Sequence, residues 1–547
     1  MNFVAAVFAD FAETFLGGES QLLTQLGSRS VLGHTLTRLM GVAGLERRCL
    51  FVRSRDEGTA KATVRELGLA DEIDVLALDN GVRPRRRLLR CGRKWNLDAW
   101  RGSPLGTTWF DEYVEPLCVA RVLDHYQAEG VLCLDGHQPT LDVGIATRMI
   151  AHQRENDAEA RFVFTQAPPG VAGIVLRRDV MRELVEQQYP VGLLLSYRPE
   201  MPQMDPITRQ SCLRITAEVA QTPARLTADT RQSREVVAQA FAALGEDCDA
   251  DALCAWLRTS GHKRVRSLPV EVELELTTDD PLRETTVRPR GDRVPRRQLE
   301  DLNAVEGLAR QLAAYDDRLL FLGGHGDPLL HSEFPDICRR IRAAGVCGLG
   351  VATPLMELPE PALDALVDGG VDVVEVQLDA NSAATYRHVH NADAFERVLS
   401  NVERIQAARR THESPEPLVV GSLTRCAATL DELEAFFERW IRATGAAVIR
   451  GYNEYCGLLP ADSVLAMTPP TRGPCRRLDR RMMLLADGRA VLCSQDVTGA
   501  MSLGTWTSDA LTDLWRGAVL RDARESHSRL AFDNYPLCMR CAEWFRP

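Results

Sequence analysis

The chain has 547 residues, too many for one hydrophobic core at about 100–200 residues per domain. Apolar residues make up 45% and charged residues 26%, which excludes a disordered chain, a collagen-like repeat and a membrane bundle. With 65 basic against 76 acidic residues the net charge is −11, which argues against a general nucleic-acid binder.

The opening segment MNFVAAVFADFAETFLGGES lacks the basic flank of an export signal, and Asp10 and Glu13 interrupt its apolar run, so a cytoplasmic location is expected. Residues Phe3–Ala9 form a continuous apolar run suited to a buried parallel strand. A helix is expected over Val31–Met40, then strands at Cys49–Val52, Val131–Leu134 and Phe162–Thr165, giving a mostly parallel α/β sheet. A basic stretch, VRPRRRLLRCGRK, carries Arg83, Arg85, Arg86, Arg87, Arg90, Arg93 and Lys94. It reads as a solvated loop in preference to a phosphate site.

Residues 223–266 are polar and helical and read as a connector. A second α/β pattern opens at Val270–Thr277. Its further strands are expected at Leu319–Leu322, Gly348–Ala352, Val371–Leu378, Leu418–Leu423 and Ala447–Arg450. Apolar residues at helical spacing, Phe334, Ile337, Cys338 and Ile341, then Leu433, Phe436, Phe437, Trp440 and Ile441, lie between strands and end at Gly345 and Gly445. Repeated βα units suggest a full or partial barrel. After Tyr452 the pattern changes to short strands, turns and cysteines.

The chain holds 15 cysteines and no export signal, so a disulfide framework is not expected. Cys49, Cys133, Cys254 and Cys338 sit singly in apolar surroundings and read as small core residues. A different pattern closes the chain: Cys475–x12–Gly488–x4–Cys493, then 44 residues, then Cys538–x2–Cys541. Asp487–Gly488 in LLADGRAVLC is a hairpin turn that carries Cys493 back beside the strand after Cys475, and PLCMRC is a compact knuckle. Four thiolates in two pairs suit an iron–sulfur cluster, with zinc as the alternative.

This arrangement resembles the SPASM or twitch extension of radical S-adenosylmethionine (SAM) enzymes. The shorter twitch form binds one auxiliary 4Fe–4S cluster through four cysteines, so the resemblance implies that role for Cys475, Cys493, Cys538 and Cys541. Cys456 lies upstream of the motif and receives none. GGHGDPLLHSEF (Gly323–Phe334) is similar to the radical SAM segment whose glycines line the SAM site, which marks Gly323 and Gly324 as a remnant cofactor loop able to admit an adenosine moiety. VEVQLDANSAATYRHV (Val374–Val389) is similar to a later strand of that family. The departure lies at the SAM-cleaving cluster, whose Cys–x3–Cys–x2–Cys ligands align with Asp280, Glu284 and Val287. Reductive cleavage of SAM is therefore not expected, and His325 reads as a hydrogen-bonded loop residue.

The N-terminal strand and glycine loop, Gly17 and Gly18, resemble GT-A-type nucleotidyltransferases such as cytidylyltransferases. The expected Arg and Lys are absent, Asp10, Glu13 and Glu19 oppose a triphosphate, and in LDGHQPTLD the metal-binding Asp is replaced by His137, leaving Asp135 or Asp142 for Mg²⁺. The whole resembles the spirochaete-type spiro-SPASM architecture. It implies a nucleotidyltransferase-like α/β domain at 1–222, a connector at 223–266, a radical-SAM-like barrel at 267–455 and a twitch/SPASM domain at 456–547. The function expected is binding, electron relay or assembly around one 4Fe–4S cluster, with a redox or biosynthetic partner protein. The alternative is Mg²⁺-dependent nucleotidyl transfer by the N-terminal domain.

Overall fold

The computed structural model describes residues 1–78, 84–97, 106–196, 205–260, 266–465 and 467–546. Two compact units emerge, Met1–Arg86 with Gly106–Arg264, and Arg87–Leu105 with Val265–Pro547.

The first unit contains strands β1 (Phe3–Ala9), β2 (Gln25–Leu26), β3 (Arg29–Ser30), β4 (Arg47–Val52), β5 (Asp74–Ala77), β6 (Gly130–Asp135), β7 (Phe162–Val163) and β8 (Ile174–Arg177). Its main sheet runs β5-β4-β1-β6-β8-β7, and β2 with β3 forms a separate hairpin. The four strands from β5 to β6 are parallel; β1, β4 and β6 were expected from their apolar runs and β5 was not. At the other edge β8 is antiparallel to both β6 and β7, a reversal that the sequence reading did not include. Strand β1 is apolar throughout because both of its faces are covered: Phe3, Ala5 and Val7 enter one core and Val4 and Ala6 the other. The helices Arg231–Leu244 and Ala250–Ser260 contribute Ala240, Ala250, Leu253 and Cys254 to the first of those cores.

The second unit holds one nine-stranded sheet made of β9 (Glu271–Glu275), β10 (Leu319–Gly323), β11 (Gly348–Thr353), β12 (Val373–Gln377), β13 (Leu418–Arg425), β14 (Ala447–Gly451), β15 (Arg481–Leu484), β16 (Arg489–Val491) and β17 (Ser502–Thr505). The order is β14-β13-β12-β11-β10-β9-β15-β16-β17. Strands β9 to β14 are parallel neighbours, the expected βα series. Strand β15 joins parallel beside β9, and β16 and β17 follow antiparallel, so the cysteine-bearing hairpin continues the same sheet. Gly488 turns that hairpin at φ +91°, a conformation in which a Cβ would be strained. Along β9 the side chains alternate: Val272 and Leu274 enter the helix-side core, while Glu271, Glu273 and Glu275 face the other way.

The basic stretch is not a solvated loop over its described part. Residues Pro84–Trp95 form a helix, Cys91 and Trp95 enter a core with Leu319, Phe321, Val373 and Leu418, and Lys94 Nζ lies 2.8 Å from Asp372 Oδ1 with both side chains buried. Leu88, Cys91 and Trp95 share one helix face, so the arginines occupy the remainder of an amphipathic helix. Arg83 lies outside the described residues. Among the described residues no helix is long and apolar enough to cross a membrane.

Candidate metal centre

Five cysteines line one cavity in the second unit, an interatomic space of about 470 Å³: Cys475, Cys493, Cys538, Cys541 and also Cys456. Each is delivered by a different local device. Cys475 precedes the turn Arg476–Asp479, and its backbone N–H donates to His527 Nδ1 at 3.2 Å. Cys493 follows β16 at the end of the hairpin. Cys538 lies on the short helix Pro536–Arg540 and Cys541 caps it, with the Glu543 N–H donating to Cys541 Sγ at 3.3 Å. Arg472 ties this knuckle down, donating to the carbonyls of Cys538 at 2.5 Å and Cys541 at 3.2 Å while its guanidinium lies over Phe532. The hairpin and knuckle were legible from spacing. Cys456 was not, because it arrives from a separate turn, Tyr455–Gly457.

The site mixes burial, which opposes free thiolates, with groups that favour negative charge. Burial pushes Cys538 up to about 12 and raises Cys475 and Cys493 as well, so as free thiols these three are neutral. Cys541 is lowered, first by the neighbouring Cys456 thiol and then, against burial, by the Glu543 N–H and Arg477. Burial, aided by Arg472, lowers His527 to about 4, so its ring is neutral at pH 7. Because Nδ1 accepts from Cys475, the ring proton sits on Nε2. That Nε2 is buried with no hydrogen-bond partner, and the same holds for Gln495 Nε2, Arg472 Nε and Arg477 Nε, all from residues lining the cavity. Buried donors without partners are costly unless something accepts from them. Thiolate and sulfide sulfurs of an iron–sulfur cluster are such acceptors, so the residues present fit that group.

Comparison with known proteins agrees with this chemistry. Residues 475–542 match the SPASM family, described as an iron–sulfur cluster-binding domain, and residues 286–418 match the radical SAM superfamily. The chain carries a radical SAM domain and a SPASM domain. An uncharacterized protein of Treponema pallidum is 27% identical over 302 residues, which is 53% of this chain and 83% of that protein. GTP 3′,8-cyclase of Chlorobaculum tepidum is 29% identical over 143 residues, 26% of this chain and 42% of that enzyme. Among solved structures, Streptococcus suis SuiB bound to its precursor peptide SuiA aligns with TM-score 0.40 and 10% identity, covering 66% of this chain and 88% of that one. A cytidylyltransferase from Leptospira borgpetersenii aligns with TM-score 0.33 and 14% identity, covering 48% of this chain and 95% of that one.

The three positions that the sequence comparison set against the cluster cysteines, Asp280, Glu284 and Val287, occupy three different settings. Asp280 accepts from Arg290 Nε at 2.6 Å, both side chains being buried, and also caps the Leu282 N–H at 2.8 Å. Glu284 is exposed and accepts from Asn391. Val287 packs with Val389, Cys426, Tyr452 and Leu459. Beside them Arg288 pairs with Asp379, and Arg297 grips Glu275 at 2.6 and 3.0 Å. His325 is hydrogen bonded, as expected, with Nδ1 2.7 Å from Glu275 Oε2. Asp327, fully buried in the Gly-Asp-Pro turn, is raised to about 7 by burial and by Asp280.

The two glycines of the remnant loop are closely packed. The Gly324 N–H donates to Glu273 Oε1 at 3.0 Å, and at φ +89° a Cβ there would lie 2.9 Å from Glu275 Cβ and 3.0 Å from Met483 Cε. A Cβ on Gly323 would sit 3.4 Å from Glu273 Oε1. Glu275 also reaches the SPASM domain: it accepts from the Ala486 N–H, Arg297 donates to the Val497 carbonyl at 3.1 Å, and His325 Nε2 lies 3.3 Å from the Ser494 carbonyl. Glu275, Arg297 and His325 thus brace the loop around Cys493.

In the first unit a crevice opens at the C-terminal ends of β1, β4 and β6, lined by Asp10, Arg53, Tyr113, Asp135 and His137 among others. Arg53, a residue the sequence reading did not single out, lies 2.7 Å from Asp10 and 3.7 Å from Glu13. Asp135 accepts from His137 N and lies 3.0 Å from its Nδ1; burial opposes a charge on His137, and Asp135 outweighs it and raises the ring. Asp142 is a helix cap, with one oxygen on the Ile145 N–H and the other on the Ala250 N–H, both at 2.8 Å, so its carboxylate is committed to backbone.

Proposed function

We propose that this chain is an iron–sulfur protein on a radical SAM scaffold, holding one 4Fe–4S cluster on Cys475, Cys493, Cys538 and Cys541 without cleaving SAM. In this reading residues 267–455 form the barrel body and 456–547 the cluster-bearing extension, and the protein acts by electron relay, ligand binding or assembly with a partner. The carrying observation is the cavity in which the four motif thiols meet four buried N–H groups that have no protein acceptor. When bound, the cluster supplies a one-electron centre and a covalent staple for the knuckle and hairpin. Zinc is less well supported. A tetrahedral zinc site draws its four sulfurs to within about 4 Å of one another, and among the described residues no three His, Cys, Asp or Glu side chains stand close enough to hold one ion.

Absence of SAM cleavage is supported by Asp280 and Val287, whose side chains are committed to an arginine and to a hydrophobic cluster. Gly323 and Gly324, packed against Glu273, Glu275 and Met483, offer an adenosine little room. Nucleotidyl transfer finds less support, since Arg53 is held by Asp10 and Glu13 and Asp142 caps a helix. Anaerobic purification of the full chain with iron, sulfide and zinc determination tests the proposal. Roughly four irons and four sulfides per chain are expected; stoichiometric zinc without sulfide would refute it. Reductant-dependent 5′-deoxyadenosine above background would refute the second half.

A further inference from the structure

The surface beside the cysteine cavity carries a charge opposite to that of the chain as a whole. Residues 471–476 lie along the knuckle, because Arg472 donates to the carbonyls of both Cys538 and Cys541 and a Cβ on Gly473 would lie 3.2 Å from the Trp544 ring. The Arg472 guanidinium stacks over Phe532 at 4.3 Å, so the two segments form one platform. Pro474, Arg476, Met539, Arg540 and Ala542 stand outward from it, all exposed, Met539 at 53%. Each of the five is the immediate chain neighbour of Cys475, Cys538 or Cys541, so its Cα lies about 3.8 Å from that of a motif cysteine. Arg476 and Arg540 have no acidic partner among the described residues. The nearby acids are neutralised: Glu543 is buried 2.9 Å from Arg546 and 3.5 Å from Arg477, and Asp479 lies 3.3 Å from Arg524. Asp533 is the one exposed carboxylate between residues 531 and 546.

We propose that this patch is where an acidic one-electron carrier protein docks, an inference that rests on the cavity holding a redox-active cluster. Arg476 and Arg540 supply the charge complementarity, and Met539 supplies an unbranched, polarizable contact that adapts to a partner's surface. So small a patch suits a transient electron-transfer encounter, which buries less than about 1,200 Å². The chain's net charge of −11 repels an acidic protein elsewhere, so two free cations beside the cluster select this face during approach. The exchange moves one electron: what the carrier loses the cluster gains, or the reverse, with no bond broken and no proton moved.

The test uses anaerobically purified full-length protein and two acidic probes, a flavodoxin and a plant-type 2Fe–2S ferredoxin. Calorimetry at low salt and at about 0.3 M salt reads binding, and stopped-flow absorbance reads electron exchange. Both probes are expected to bind wild type at low salt and to be released by salt. Arg476→Glu/Arg540→Glu should keep wild-type iron, weaken binding about tenfold or more and flatten its salt dependence. The control Arg65→Glu/Arg410→Glu makes the same charge change at exposed arginines of the helices Glu57–Glu66 and Phe395–Thr411. It should weaken binding less than about threefold. Met539→Ala should weaken it about two- to fivefold with the salt dependence unchanged. Where the charge reversal fails to fold, Arg476→Gln/Arg540→Gln replaces it, with an expected loss of about threefold or more. Wild-type binding by the iron-replete reversed variant, an equally impaired control, or wild type that binds neither probe overturns the proposal. So does binding without electron exchange in either direction, or tighter binding of an RNA oligonucleotide that the same reversal removes. Wild type free of iron and sulfide would instead refute the cluster itself.

Discussion

Two regions of the second unit treat their buried polar groups in different ways. Around Asp280, Glu275 and Asp379, carboxylates are matched by Arg290, Arg297 and Arg288, so these buried charges pair with one another, although Arg288 Nη1 and Asp327 Oδ2 nearby have no partner. Around Cys475, Cys493, Cys538 and Cys541, buried N–H groups of Arg472, Arg477, Gln495 and His527 point at no protein acceptor. A locus that has closed on itself pairs its own groups, because an unpaired buried charge costs several kcal/mol. Open buried donors are satisfied only when an acceptor enters, and in the proposed function the cluster sulfurs are that acceptor.

The largest expected effect breaks the second region. Alanine at Cys475, Cys493 or Cys538 should abolish iron binding and make residues beyond Cys475 more susceptible to limited proteolysis, with iron content and cleavage pattern as the measurements. Next, the triple change Asp280→Cys, Glu284→Cys, Val287→Cys tests whether the first region is closed. It should bind no additional iron and should destabilise the second unit by about 3–5 kcal/mol in denaturant unfolding, because Arg290 is left as a buried unpaired cation. A second cluster in that variant would show that only the cysteines were missing.

A smaller effect is expected at the junction between the regions. Glu275→Gln should cost about 2–3 kcal/mol at pH 7 and speed iron loss to a chelator, since Arg297 and His325 then brace the Cys493 loop less firmly. Burial opposes the Glu275 charge, but His325 and Arg297 lower it to about 2. Its contribution is therefore fully present above about pH 4.5 and is lost as pH falls toward 2, so the variant's deficit should shrink in that window. The smallest effect is at Asp327, raised to about 7. The folded state there keeps a proton that the unfolded chain releases, so the native residue loses stability as pH rises from about 4 to 7. Asp327→Asn should gain about 1–2 kcal/mol at pH 8 and nothing below pH 4, as unfolding curves at the two pH values will show.

Spacing along the chain determined a good deal by itself. The parallel strands β1, β4, β6, β10, β11 and β13 follow largely from apolar runs, because a strand covered on both faces has no polar side, whereas β9 follows from the alternation of Val272 and Leu274 with glutamates. The four motif cysteines follow from a Gly turn and a two-residue knuckle, which are local devices. The basic helix Pro84–Trp95 carried a readable signal in Leu88, Cys91 and Trp95, masked by its arginines. Only the tertiary structure decided the rest. Cys456 reaches the cavity through two left-handed residues that no residue type announces. β8 reverses direction at a sheet edge, where pairing partners are far apart in sequence. Asp280 meets Arg290, and Glu275 meets Arg297 and His325, across loops and strands that come together only when the sheet forms. Periodicity and turn chemistry act between neighbours in sequence; charge pairing and sheet polarity act between neighbours in space.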